Sequence, residues 1–176
     1  MKKILIVLLG TALVSCGNNK SYDPYRLSPQ NDTIFTTSDE VFEVDFKTNE
    51  YNTKTVHIKL NDAVGKDALF DTGCSGMLIS SLEFVDLIKE GAISKDDYLG
   101  DSKSSIADGS TITNAVYKIR EVSVIDKNGN AHVLHDSAAT VVENPGANIL
   151  IGNSIIDNLA THSYTVDLEN NVIRFQ

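Results

Sequence analysis

Residues 39–176 predict a mainly-β domain, a small closed barrel or sandwich that carries one or two short helices. Three observations lead there. Apolar and polar residues alternate with a period of two in several short segments, so each segment has one face to bury. Turn signals rich in Asn, Asp and Gly separate these segments at short intervals, as hairpins require. Helical spacing occurs only in two brief stretches, each beside a glycine.

From the start of the domain, Phe42, Val44 and Phe46 alternate with acidic residues, and Val56, Ile58 and Leu60 alternate with His57 and Lys59, which predicts two half-buried strands. Asn61–Lys66 reads as a turn into a short buried strand, Ala68-Leu69-Phe70. Ser80-Ser81-Leu82-Glu83 is a capping box, since a serine at the N-cap and a glutamate three residues later satisfy each other's backbone N–H groups. Leu82, Val85 and Ile88 then stand at helical spacing as the apolar face, and Gly91 is the helix stop. Residues 92–105, with Asp96, Asp97, Asp101 and several serines, show no period and read as a long loop. Ile106-Ala107-Asp108-Gly109-Ser110 places a turn ahead of Thr111-Ile112-Thr113, which predicts a hairpin. Ile119–Ile125 and Ala131–Leu134 flank Asp126-Lys127-Asn128-Gly129 as a second hairpin, and Ala138–Val142 reads as a further strand. Pro145-Gly146 turns the chain into Asn148–Gly152, after which Asn153 or Ser154 can cap a short helix through Ile155, Ile156 and Leu159. Tyr164–Leu168 and Val172–Phe175, joined by Glu169-Asn170-Asn171, form a third hairpin.

Composition bounds the rest. A hydrophobic fraction of 41% and a charged fraction of 22% are those of a globular chain, and the sequence beyond the N-terminal region is long enough for one domain. Met1-Lys2-Lys3 and the apolar run Ile4–Val14 make residues 1–15 a signal peptide, too short to span a bilayer as a stable anchor. Leu13-Val14-Ser15-Cys16 resembles a bacterial lipobox, which implies cleavage before Cys16 and a diacylglycerol on its sulfur. Residues 16–38 are polar and lack an apolar period, as a tether from a lipid surface would be. The expected location is therefore the bacterial cell envelope, with the domain outside the cytoplasm; Gly17 offers no strong retention signal, which favours the outer membrane. Losing Lys2 and Lys3 takes the net charge from -9 to -11, and no basic cluster remains, which argues against nucleic acid as a partner. With Cys16 lipidated, Cys74 has no partner within the chain, so the fold does not depend on a disulfide.

Chemistry concentrates at Ala68-Leu69-Phe70-Asp71-Thr72-Gly73-Cys74-Ser75, an apolar run that ends on a carboxylate, a hydroxyl and a glycine. Asp-Thr-Gly alone is a weak signal, arising by chance in roughly one chain of this size in thirty. Its surroundings say more. The run into Asp71-Thr72-Gly73-Cys74-Ser75, the apolar pair Leu78-Ile79 and the later Leu150-Ile151-Gly152 together resemble the retropepsin-like aspartic proteases, over about Val56 to Phe175.

The resemblance implies a retropepsin-like closed barrel and hydrolysis of peptide bonds by water held between two aspartates. It makes Asp71 the catalytic carboxylate, Thr72 a cross-subunit hydrogen-bonding residue and Gly73 a backbone contact to substrate. Ala107, Asp108 and Gly109 would form the tip of the flap that closes over substrate. A single Asp-Thr-Gly leaves the dyad incomplete within one chain, so a homodimer is expected, acting on an envelope or exported protein or peptide. Two positions depart from the pattern. Cys74 stands where retropepsins usually have Ala, as a small packing residue or an oxidation-sensitive thiol. Asn153 follows Gly152 where retroviral enzymes have Arg, so the dimer contacts of that arginine do not carry over.

Other constellations are thinner. His132, His135 and Asp136 lack a third-ligand spacing, and the Asp96-Asp97-Asp101 segment lacks that of a calcium loop, so no metal or other cofactor is expected. His57 and His162 read as surface residues on strand faces. No histidine accompanies Ser75 or Cys74 in a nucleophile motif. Beside the enzyme stands a second reading, a lipoprotein of the same fold that binds a peptide or protein without cutting it.

Overall fold

A computed structural model describes residues 41–105 and 109–176. The expected signal peptide, Cys16, the expected tether and two of the residues expected in a flap, Ala107 and Asp108, lie outside the described residues.

Period-two alternation becomes strands with one buried face. In β1 (Phe42–Thr48) the residues Phe42, Val44 and Phe46 are buried, and in β2 (Lys54–Leu60) so are Val56, Ile58 and Leu60. β3 (Val64–Phe70) begins earlier than the apolar run suggests, because the turn before it needs only residues 61–63. Asn61 and Asp62 both take positive φ, which lets Leu60 pair directly with Val64. Within β3 only Val64 and Ala68 are buried, while Leu69 and Phe70 are half-covered, so the run lies along the rim of the core and does not cross it.

β4 (Met77–Ser80) leads into α1 (Ser81–Lys89), whose N-cap is Ser80, as expected. The Ser80 hydroxyl accepts from the N–H groups of Leu82 and Glu83 and donates to the Glu83 carboxylate. The helix is turned away from the expected face. Leu87 is buried and Phe84 packs on the core, whereas Leu82, Val85 and Ile88 are 46%, 42% and 48% exposed. Seating Glu83 inward against Ser80, with Lys66 at 3.9 Å, fixes that rotation.

The loop expected over residues 92–105 is largely a strand. Ala92 and Ile93 are buried, Lys95–Asp97 forms a 3-10 turn, and β5 (Tyr98–Ser105) pairs antiparallel with β6 (Thr111–Ile125) up to Ser105 opposite Thr111. β5 is an edge strand, and pairing on one side tolerates its serines and glycine, which carry little strand propensity. The predicted hairpin at Gly109 is thus real, and Gly109 adopts φ +84°. β6 and β7 (Ala131–Val142) are each one long strand where the sequence suggested two. The chain ends with β8 (Leu150–Ile151), α2 (Asn153–Leu159), β9 (Tyr164–Asp167) and β10 (Val172–Phe175).

The strands close on themselves. β2, β6, β7, β4, β8 and β3 pair in that order, and β3 returns to β2, giving a barrel around Ile58, Leu60, Ile79, Ile119 and Ile151. β1 continues from β2 into a second small sheet, in which β10 lies between β1 and β9. Closure of this kind removes most free strand edges.

Candidate active site

β3 and β4 are consecutive strands joined by the Asp71 loop, yet they do not pair with each other. β8 lies between them, parallel to β3 and antiparallel to β4. The loop therefore crosses over the end of β8, and the chain after β8 has to pass beneath it. Asp71 N–H donates to the Ile151 carbonyl at 3.1 Å, which fixes the point where the strand stops.

Gly152 makes that passage possible. A Cβ there would stand 2.3 Å from the Cys74 carbonyl oxygen and 2.4 Å from that of Gly76, closer than any side chain permits. From this contact α2 starts. Gly152 itself is the N-cap, in place of the side-chain cap expected from Asn153 or Ser154. The free N–H groups at the helix start are used on the loop: Asn153 N–H donates to Cys74 O and Ser154 N–H to Ser75 O, each at 2.9 Å. The Asn153 amide also donates to Thr72 O at 3.3 Å. Asn153 thus belongs to the site, a role that sequence reasoning missed because its partner lies 81 residues away.

Inside the loop, one Asp71 carboxylate oxygen accepts from Gly73 N–H at 2.9 Å, and Cys74 N–H donates to Asp71 O at 3.1 Å. Asp71 is half-buried, while Thr72 and Gly73 are exposed. Among the described residues no cation is paired with Asp71. Cys74 is a half-buried free thiol whose Sγ donates to Gly76 O at 3.2 Å, so it packs within the loop. Phe70, next to Asp71, meets Tyr164 of β9 edge-on with ring centroids 5.5 Å apart. The structure thus gathers Asp71, Thr72, Gly73, Cys74, Gly152 and Asn153, while Gly109 belongs to the β5–β6 hairpin.

The histidines have other partners. His132 stacks on Phe42 at 3.5 Å with its Nε2 3.2 Å from Asp126, whereas His135 lies 3.9 Å from Glu121. His57 is exposed beside Asp67, and His162 lies in the turn before β9 and not on a strand. Among the described residues no cluster of three or more His, Cys, Asp or Glu is placed to hold a metal ion.

No family model matches the chain, and no curated protein matches it by sequence. Solved structures do. A retropepsin-like aspartic protease from Rickettsia conorii superposes with a TM-score of 0.55 at 15% identity, over 77% of this chain and 92% of that one. The fold is that of the retropepsin-like aspartic proteases.

Proposed function

We propose that this protein is a lipid-anchored aspartic endopeptidase of the bacterial envelope, working as a homodimer on an exported protein or peptide. The reading rests on one observation. Asp71, half-buried and, among the described residues, paired with no cation, sits on a loop pinned from behind by Gly152 and α2, with Thr72 and Gly73 exposed in front. A second copy of the loop, facing the first, would complete a pair of carboxylates. Two such groups cannot both ionise cheaply, so they share one proton. The ionised one takes a proton from water as its oxygen attacks the scissile carbonyl carbon; the protonated one donates to the carbonyl oxygen. Collapse of the tetrahedral intermediate breaks the C–N bond, and the amine leaves with a proton from the dyad. The hairpin of β5 and β6 stands, in chain order, where the flap of such enzymes would be.

The test is cleavage of a diverse peptide library by the detergent-solubilised full-length protein, from acidic to neutral pH, beside Asp71→Asn. The expected result is Asp71-dependent cleavage, reduced about a thousandfold or more in the variant. Cleavage that survives the substitution would refute the mechanism.

A further inference from the structure

Resting on the aspartic protease reading, we propose that Asn153 is a positioning residue for Asp71, its side-chain amide holding the Thr72–Gly73 peptide so that Gly73 N–H stays aimed at the Asp71 carboxylate.

Two hydrogen bonds meet on one peptide group. Thr72 O accepts from the Asn153 amide at 3.3 Å, and Gly73 N–H donates to Asp71 Oδ1 at 2.9 Å. That carbonyl and that N–H belong to one rigid plane and point in opposite directions, so a partner that fixes one fixes the other. Hydrogen bonds in such a chain also polarise one another, which makes Gly73 N–H a better donor. Among the described residues it is the one hydrogen bond that the Asp71 carboxylate receives.

The turn by itself would not keep this peptide in place. Cys74 N–H donates to Asp71 O, closing a β-turn over residues 71–74, and neither Thr72 nor Gly73 takes a positive φ, as in the type I form. Type II differs by a half-turn of the central peptide and needs positive φ at its third residue, which glycine supplies without strain. With Gly73 at that position the flip is sterically open, and it would swing Gly73 N–H away from Asp71. The bond to Asp71 guards poorly against it, because a carboxylate that takes up a proton during turnover becomes a weaker acceptor at that moment. The Asn153 amide does not change charge, so its grip on Thr72 O persists through the cycle.

Asn153 is seated for this task. Its backbone N–H is bound to Cys74 O, which sets it beside the turn, and Gly152 is the N-cap of α2, so the Asn153 side chain is not spent on the cap. Losing the amide should therefore disturb the turn more than the helix. The loop, β4, β8 and α2 carry no lysine, arginine or histidine that could hold Asp71 instead. Lys66 and Asp67 of β3 are engaged by Glu83 and by Lys47 and His57. The other titratable groups on the surrounding elements are Cys74, whose Sγ donates to Gly76 O, Tyr164 against Phe70, exposed Asp157 on α2 and, in the homodimer, Asp71 of the second copy.

The experiment uses the full-length protein in detergent with isotopically labelled glycine nitrogen, read by NMR as parent, Asn153→Ala and Asn153→Asp. Aspartate keeps the size of asparagine and suits a helix start, but once ionised it cannot donate to Thr72 O, and high salt screens its charge. The Gly73 amide is the glycine signal whose movement with pH disappears in Asp71→Asn. In both Asn153 variants the pH midpoint of that movement should rise by about half a unit or more, since a carboxylate that loses an N–H donor ionises less readily. Tm should stay within about 2 °C of the parent. With the peptide library, the acid limb of kcat/KM should shift alongside, with kcat falling about tenfold and KM changing less than about twofold. A Gly73 titration identical to the parent's in both variants, or a loss of kcat that only follows a loss of Tm, would overturn the proposal. Absence of cleavage by the parent at every pH would sink the protease reading alone, and the Gly73 signal would still decide whether Asn153 holds the turn.

Discussion

Gly152 shows how one residue decides a site. Its missing side chain is what lets β8 and α2 run under the Asp71 loop, with Cys74 O and Gly76 O filling the space a Cβ would need. Because those neighbours are backbone atoms, they cannot swing aside. Gly152→Ala should therefore cost about 2 kcal/mol or more in denaturant unfolding, and activity should fall further than stability because Asp71 is displaced with the loop. A cost under about 0.5 kcal/mol would show that the loop adapts. The glycine and the Asp-Thr-Gly were both legible in the sequence as motif positions. Their contact was not, nor was the bond from Asn153 to Thr72, because nothing local says which distant carbonyl a side chain will meet.

At the scale of elements, α1 separates what periodicity can and cannot tell. The helix, its cap and its length were all readable from the Ser80–Glu83 capping box and the apolar spacing after it. The buried face was not, because Leu82, Val85 and Ile88 and the pair Phe84 and Leu87 are both plausible apolar stripes. The structure buries Leu87, at 0% exposure, and leaves the other stripe outside. Leu87→Ala should then cost about 2–5 kcal/mol, whereas Val85→Ala should stay within about 0.5 kcal/mol, read as denaturation midpoints. The reverse order would restore the face suggested by the sequence. β5 was missed for a different reason: an edge strand rich in Ser owes its conformation to β6, and a window of sequence does not contain the partner.

Over the whole molecule, acid should loosen the fold through its hairpins. Asp67 is held below the usual carboxylate range by hydrogen bonds from Lys47 and His57, and Asp167 by the Asn170 side chain and backbone. Asp126 closes the turn between β6 and β7. Burial pushes its carboxyl up, but N–H donors from Asn130 and Asn128 together with His132 outweigh that and bring it to about 2. A carboxylate whose pKa is lower folded than unfolded stabilises above its unfolded value and loses that stabilisation as pH falls. Tm should thus decline as pH drops from about 4 toward 2, and Asp126→Asn should flatten the slope in that window. An unchanged slope would mean that Asp126 gains nothing from its turn.

The sequence by itself determined the class of fold, most of the hairpins, the start of α1 and the Asp71-Thr72-Gly73 motif, because alternation, turn chemistry and capping act between residues a few positions apart. Tertiary structure decided how β8 divides β3 from β4, which face of α1 is buried, and which strand edge remains free. These depend on pairings between distant segments, where every candidate strand offers the same backbone donors and acceptors, and only closure of the barrel selects among them.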